Sequence, residues 1–206
     1  MITANSLVDG VFYINLDHRT DRKAEIEGEL EKMGLVGERF PGIPTCPGII
    51  GCGYSHLGVL KEARERGYSN VLIFEDDFQF LVEKKVFWDY MKDVLTDLPS
   101  YDVIMLGYNI QKMVEYGTSL ANKVLEAQTA SAYIVHSKFY DALIDLYEEA
   151  MPLLESTGQH WIYANDQVWK RLQPKSEWYA TSIRIGKQRA SIGETGVEPV
   201  FCDYGL

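Results

Sequence analysis

The sequence predicts one α/β domain in which helices pack on an open sheet, and three observations predict it. Apolar runs of buried-strand type stand at Val11-Phe12-Tyr13-Ile14, Val71-Leu72-Ile73-Phe74 and Val103-Ile104-Met105-Leu106. Segments with apolar residues at helical spacing lie between them, which is the strand–helix–strand rhythm of such a sheet. The length, 206 residues, buries one good core without forcing a second, so residues 1–206 are read as a single domain.

The first strand, Val11 to Ile14, ends in the polar loop Asn15-Leu16-Asp17-His18-Arg19-Thr20. From Asp21 the spacing of Ile26, Leu30 and Met33 gives one apolar helical stripe, and Gly34 closes it as a C-terminal cap. Three prolines and several glycines between Phe40 and Gly53 predict a shaped loop, the kind of segment that carries function. A helix with Tyr54, Leu57, Leu60 and Ala63 on one face follows and ends at Gly67. The strand Val71 to Phe74 then runs straight into Glu75-Asp76-Asp77. Phe87, Met91, Val94, Leu95 and Leu98 predict a helix that stops at Pro99, and Val103 to Leu106 a strand that ends at Gly107. Val124-Leu125 and Ala132 to Val135 read as further strands, and a helix from about Ser137 turns Phe139, Leu143, Leu146, Tyr147 and Ala150 inward. Asp166 to Leu172 is a last short helix, and the tail from Gly186 reads as a loop.

Hydrophobic residues at 46% and charged residues at 24% are ordinary for a globular chain, so disorder and fibrous repeats are not expected. With a formal net charge of −10 and no long basic stretch, nucleic acid is not an expected partner. The odd set Cys46, Cys52 and Cys202 has no paired CxxC, so neither a disulfide framework nor a structural zinc site is expected, and a reducing compartment is favoured. No window approaches the ~20 apolar residues of a membrane helix, and Met1 to Gly10 does not read as a secretory leader. The expectation for a complete chain is cytoplasmic, with oligomeric state, including a homo-oligomer, left open.

Ligands collect at the carboxyl ends of strands in an α/β sheet, and Glu75-Asp76-Asp77 stands at such an end. Adjacent carboxylates raise one another's pKa, a cost that a divalent cation with oxygen ligands removes. Strand alternation would point Glu75 and Asp77 to one side and Asp76 to the other, making Glu75 and Asp77 the chelating pair. The alternative is a strand that ends in a solvated acidic turn. No G-x-x-x-x-G-K-[ST] loop accompanies the acids, which argues against a nucleoside triphosphatase.

Three segments together resemble glycosyltransferase family 25, which includes lipooligosaccharide galactosyltransferases and collagen hydroxylysine galactosyltransferases. Tyr13-Ile14-Asn15-Leu16-Asp17-His18-Arg19-Thr20-Asp21-Arg22 is similar to the family's opening strand and loop, Gly51-Cys52-Gly53-Tyr54-Ser55-His56-Leu57 to its G-C-x-x-SH segment, and Leu72-Ile73-Phe74-Glu75-Asp76-Asp77 to its L-x-x-EDD strand. Weaker similarity continues through Thr129 to Val135, Asp166, Gln188 and Ser191-Ile192. His18, Gly53 and Tyr54 depart from the common pattern, and the C-terminal portion is short.

The resemblance implies a GT-A-like, Rossmann-type single domain with a mixed central sheet, and an inverting, metal-dependent transfer of a hexose such as galactose from a UDP-sugar. The acceptor hydroxyl would lie on a glycan or on hydroxylysine, in lipopolysaccharide biosynthesis or collagen glycosylation. It implies Mn2+ or Mg2+ on Glu75 and Asp77. Donor contacts would come from Asn15, Leu16, Arg19, Arg22, Ser55, His56, Glu75 and Asp76, with Gln188 and Ser191 at the sugar pocket, and Asp166 would be the base. Simpler readings stand beside these: Arg19 and Arg22 as surface charges, Ser55 as an N-cap, and Asp166 as a helix cap. Trp161, Tyr163 and Trp169 offer sugar-stacking faces or belong to the core. The competing classes are a non-catalytic carbohydrate- or protein-binding module on the same fold and a different metal-dependent enzyme, such as a nucleotidyltransferase or phosphohydrolase, on a similar sheet.

Overall fold

The structure, a computed structural model, describes residues 7–98, 100–115 and 119–189. In chain order these form β1 (Gly10–Asn15), α1 (Thr20–Met33), β2 (Glu38–Pro41), α2 (Gly48–Glu65), β3 (Asn70–Glu75), β4 (Phe78–Phe80) and α3 (Lys84–Asp97). They continue with β5 (Val103–Glu115), β6 (Ala121–His136), α4 (Tyr140–Thr157), α5 (His160–Tyr163), α6 (Asn165–Val168), β7 (Trp178–Thr181) and β8 (Gly186–Gln188). A six-stranded sheet runs in the order β2-β1-β3-β6-β5-β7, and β4 pairs with β8 in a small second sheet.

The sheet is mixed: β1 lies parallel to β2 and β3, whereas β6 pairs antiparallel with β3 and β5. This is the GT-A-like architecture expected from the sequence. Strand β7 meets β5 at Val103 to Met105 and also β6 at Ala121 to Lys123, so the long β5–β6 hairpin must curl back on itself. Register irregularities along that hairpin, from Met105 to Met113, supply the bend.

The middle of strand β3, Val71 to Phe74, is apolar because it is covered on both faces. Val71 and Ile73 pack with Leu57, Leu60 and Ala63 of α2 and Leu143, Tyr147 and Met151 of α4. Leu72 and Phe74 face the other way, onto Ile26 and Leu30 of α1 and Phe87, Met91 and Val94 of α3. Each such side chain contributes about 1.5–3 kcal/mol by leaving water, which holds β3 rigidly between two layers and fixes where its carboxyl end points.

Several elements differ from expectation. Helix α2 begins at Gly48, inside the segment read as loop, because its glycines permit close packing: a Cβ on Gly51 would lie 1.9 Å from the Ile43 carbonyl oxygen, and one on Gly53 2.1 Å from Met151 Sδ. Ser55 therefore sits within the helix and is not its N-cap. Strand β5 continues past Gly107, and the two expected strands around Val124 and Ala132 are one, β6. The four-residue α6 and a 3-10 turn at Trp169–Arg171 replace the single helix expected there. Gly186 to Gln188, read as loop, is strand β8. Cys46 is disulfide-bonded, contrary to the expectation of a chain without disulfides. Among the described residues no helix is long and apolar enough to cross a membrane.

Candidate functional site

Strands β1 and β3 run side by side with Ile14 opposite Glu75, so the loops leaving their carboxyl ends share one edge. A cavity of about 590 Å³ opens there, within the size range of small-molecule sites. It is lined by Asn15, Leu16, Arg19, Arg22, Ser55, His56, Glu75, Asp76, Asp77, Asp166 and Gln188, so the described donor, metal and base candidates meet at one place, without the aromatic candidates Trp161, Tyr163 and Trp169. Ser191 lies outside the described residues.

Strand β3 ends at Glu75, and strict alternation ends with it. Glu75 turns toward α2: its Oε1 lies 3.2 Å from His56 Nε2 and accepts from Cys52 Sγ at 3.5 Å, while its Oε2 accepts from Gln188 Nε2 at 3.0 Å. Asp76 and Asp77 turn instead toward α1. Asp76 accepts from Asn15 Nδ2 at 2.7 Å and from Arg22 at 3.2 Å, and the same guanidinium stands 3.5 Å from Asp77. The expected split, Glu75 with Asp77 against Asp76, is thus not the arrangement seen, because the turn after β3 rotates the last two carboxylates together onto Arg22. Asp76, 8% exposed with both oxygens bonded, ties the end of β3 to the β1–α1 loop.

On α2, the Ser55 hydroxyl donates to the Gly51 carbonyl at 2.6 Å and accepts from the Ile43 amide at 2.9 Å, which fastens the preceding loop to the helix. His56 is fully buried, with Nδ1 2.8 Å from the Tyr133 hydroxyl. Arg19 pairs with Asp21 at 2.8 Å, one turn away from the Asp76–Asp77 pair that engages Arg22.

Asp166 reaches the opposite wall from α6. It makes no capping bond; instead its Oδ2 accepts from the Thr129 amide at 3.0 Å and its Oδ1 from Gln167 Nε2 at 3.2 Å. Thr129 has φ +81°, an unusual conformation for a β-branched residue. It sits where β6 carries extra residues between its partners Asn109 and Gly107, a bulge that aims the amide at the cavity. Beside it Asn165, 2% exposed, has a side-chain nitrogen without a hydrogen-bond partner among the described residues. Trp169 is wholly buried in the core, so it offers no stacking face, whereas Trp161 is 63% exposed.

No protein-family model matches the chain. It is 28% identical to the probable inactive glycosyltransferase 25 family member 3 of Rattus norvegicus, over 128 residues that cover 48% of this chain and 22% of that protein. It is 27% identical to procollagen galactosyltransferase 1-A of Xenopus laevis, over 128 residues that cover 48% of this chain and 21% of that protein. The resemblance to glycosyltransferase family 25 is supported. The chain matches about a fifth of the length of these family 25 relatives. Among solved structures, a glycosyltransferase involved in the glycosylation of the major capsid of PBCV-1 superimposes with a TM-score of 0.53 at 10% identity, covering 90% of this chain and 95% of that one. That likeness is one of fold.

The three segments that resemble family 25 form three neighbouring parts of the cavity wall: the β1–α1 loop, the first turns of α2, and the end of β3. Burial pushes the Glu75 carboxyl up, but the hydrogen bond and charge of His56, with bonds from Cys52 and Gln188, outweigh it and hold the group below the usual range. Burial first, then the Glu75 charge, pushes the Cys52 thiol well up. Sequence reading did not single out Cys52 or Thr129 as site residues. Cys52 carried a usable signal, since Cys52 and His56 are four apart and share a helix face; Thr129 carried none, because its role rests on a backbone amide.

Proposed function

We propose that the chain is a metal-dependent glycosyltransferase that moves a hexose, galactose by family resemblance, from a UDP-sugar to a hydroxyl of a glycan or hydroxylysine acceptor with inversion, within one glycosyltransferase domain spanning residues 1–206. The observation that carries this reading is the convergence of the family 25 segments and Asp166 on a single cavity of ligand size. Charge supports it. Four carboxylates (Glu75, Asp76, Asp77 and Asp166) and two guanidinium groups (Arg19 and Arg22) line the cavity, so a nucleoside diphosphate would be repelled unless a cation entered with it.

Glu75 turns toward α2 and Asp77 toward Arg22, so a cation held by both would have to draw the two carboxylates together. Glu75 and Asp77 line the cavity with hard oxygen ligands suited to Mn2+ or Mg2+. A bound divalent ion would supply electrophilic stabilisation of the departing diphosphate. Arg22 holds Asp76 and Asp77 in place, Gln188 holds Glu75, and Arg19, paired with Asp21, lines the cavity as a proposed phosphate contact. Ser191, outside the described residues, is proposed with Gln188 at the sugar. In the reaction the acceptor oxygen bonds to the anomeric carbon, the bond from that carbon to the phosphate oxygen breaks, and Asp166 takes the acceptor proton. The Thr129 amide orients the Asp166 carboxylate for that role.

A second reading has its own observation: relatives named inactive match this chain as well as a named procollagen galactosyltransferase does. It makes the chain a binding module that keeps the nucleotide and forms no product. The test is calorimetric titration of UDP with Mn2+ and then with chelator, followed by product analysis. We expect uridine-selective binding that chelator removes, loss of binding in Asp77→Ala, and in Asp166→Asn full binding with transfer lowered at least about 100-fold. Binding without product in the parent chain would favour the module; an Asp77→Ala variant with unchanged metal-dependent binding would overturn the metal assignment.

A further inference from the structure

We propose that Cys52, His56 and Glu75 form a second kind of metal site in the same cavity, a three-ligand site selective for Zn2+ over hard cations. One ligand atom from each residue, a sulfur, a ring nitrogen and a carboxylate oxygen, lies within 4.8 Å of the other two. Zinc bonds of about 2.3 Å to sulfur and about 2.1 Å to nitrogen or oxygen place tetrahedral ligand atoms roughly 3.4–3.6 Å apart. The distances to Glu75 Oε1, 3.5 Å from Cys52 Sγ and 3.2 Å from His56 Nε2, are close to those edges. Helix α2 delivers Cys52 and His56 from one face, one turn apart, and β3 delivers Glu75 against them.

The supporting contacts are those of a metal centre. The Tyr133 hydroxyl engages His56 Nδ1 at 2.8 Å, which leaves Nε2 for the ion when the proton rests on Nδ1. Gln188 Nε2 holds the other Glu75 oxygen at 3.0 Å. All three ligands line the cavity, which gives an entry path and leaves a fourth position for water or a ligand. The thiol hands its proton to solvent as the ion binds. Thiolate and imidazole donors favour Zn2+ over Mn2+ or Mg2+, and because Glu75 belongs to both donor sets, zinc occupancy and hard-cation occupancy exclude one another.

The proposed site shares Glu75 with the cation assigned to sugar transfer, and its test reads the metal directly. Chelator-stripped protein is titrated with Co2+, which reports thiolate ligation by a near-ultraviolet charge-transfer band and tetrahedral geometry by intense visible bands. We expect both to saturate at one ion per chain, to disappear on adding Zn2+, and Cys52→Ser to lose the charge-transfer band while melting like the parent. Tyr133→Phe, which keeps the core filled, should weaken Zn2+ binding about 10–100-fold. A Co2+ spectrum without a thiolate band, or one unchanged in Cys52→Ser, overturns the site. UDP titration of the same stripped protein with Mn2+ shows separately whether the nucleotide reading stands.

Discussion

Arg22 sets the charge balance of the acidic turn. Its guanidinium is within 3.2 Å of Asp76 and 3.5 Å of Asp77, and the three side chains are between 11% and 22% exposed. Replacing it leaves two carboxylates turned toward one another in partly desolvated surroundings, so Arg22→Ala should destabilise the fold by about 1–3 kcal/mol, measured by urea denaturation; a change within 0.5 kcal/mol would make the pair an ordinary surface contact. The acids themselves were legible, since an apolar strand ending in three carboxylates is visible in the sequence. Their directions were not, because alternation describes a strand and β3 stops at Glu75. For the same reason the sequence pointed to Asp77 as the partner of Glu75, while the neighbours it meets are Cys52, His56 and Gln188.

At the scale of elements, helix α2 depends on its glycines. A methyl group on Gly51 meets a backbone carbonyl at 1.9 Å, and one on Gly53 meets the flexible Met151 side chain at 2.1 Å. Overpacking costs about 1–3 kcal/mol, and because backbone yields less than a thioether, Gly51→Ala should be the more damaging of the two by chemical denaturation. Equal costs would mean that the loop at Ile43 adapts freely. Long elements were readable from periodicity: α1, α3 and α4 fall where Ile26, Phe87 and Leu143 predicted them. The strands of three or four residues, β2, β4, β7 and β8, were not, since Glu38-Arg39-Phe40-Pro41 or Gly186-Lys187-Gln188 becomes a strand only through a distant partner.

For the whole molecule, the residues conveyed an α/β sheet with a site at one edge and the family resemblance its mixed character, but the strand order was not legible, because the insertion of antiparallel β6 between β3 and β5 is a long-range pairing without a local signal. The cavity joins groups from both ends of the chain, from Asn15 to Gln188. Filling it should therefore stabilise the fold as a unit. UDP with Mn2+ at one hundred times its dissociation constant adds about 2.7 kcal/mol, which for a chain of this size raises Tm by roughly 5–10 °C. A thermal shift with nucleotide but not with chelator present is the expected result; no shift at saturating ligand would detach the cavity from nucleotide binding. Thr129 adds a mechanical aspect to this picture. Its left-handed backbone stores about 1–3 kcal/mol, and the amide held in that posture is the one that grips Asp166. The hydrogen bond ties the two features together, so removing the carboxylate in Asp166→Ala would take away one contact that keeps Thr129 in that posture.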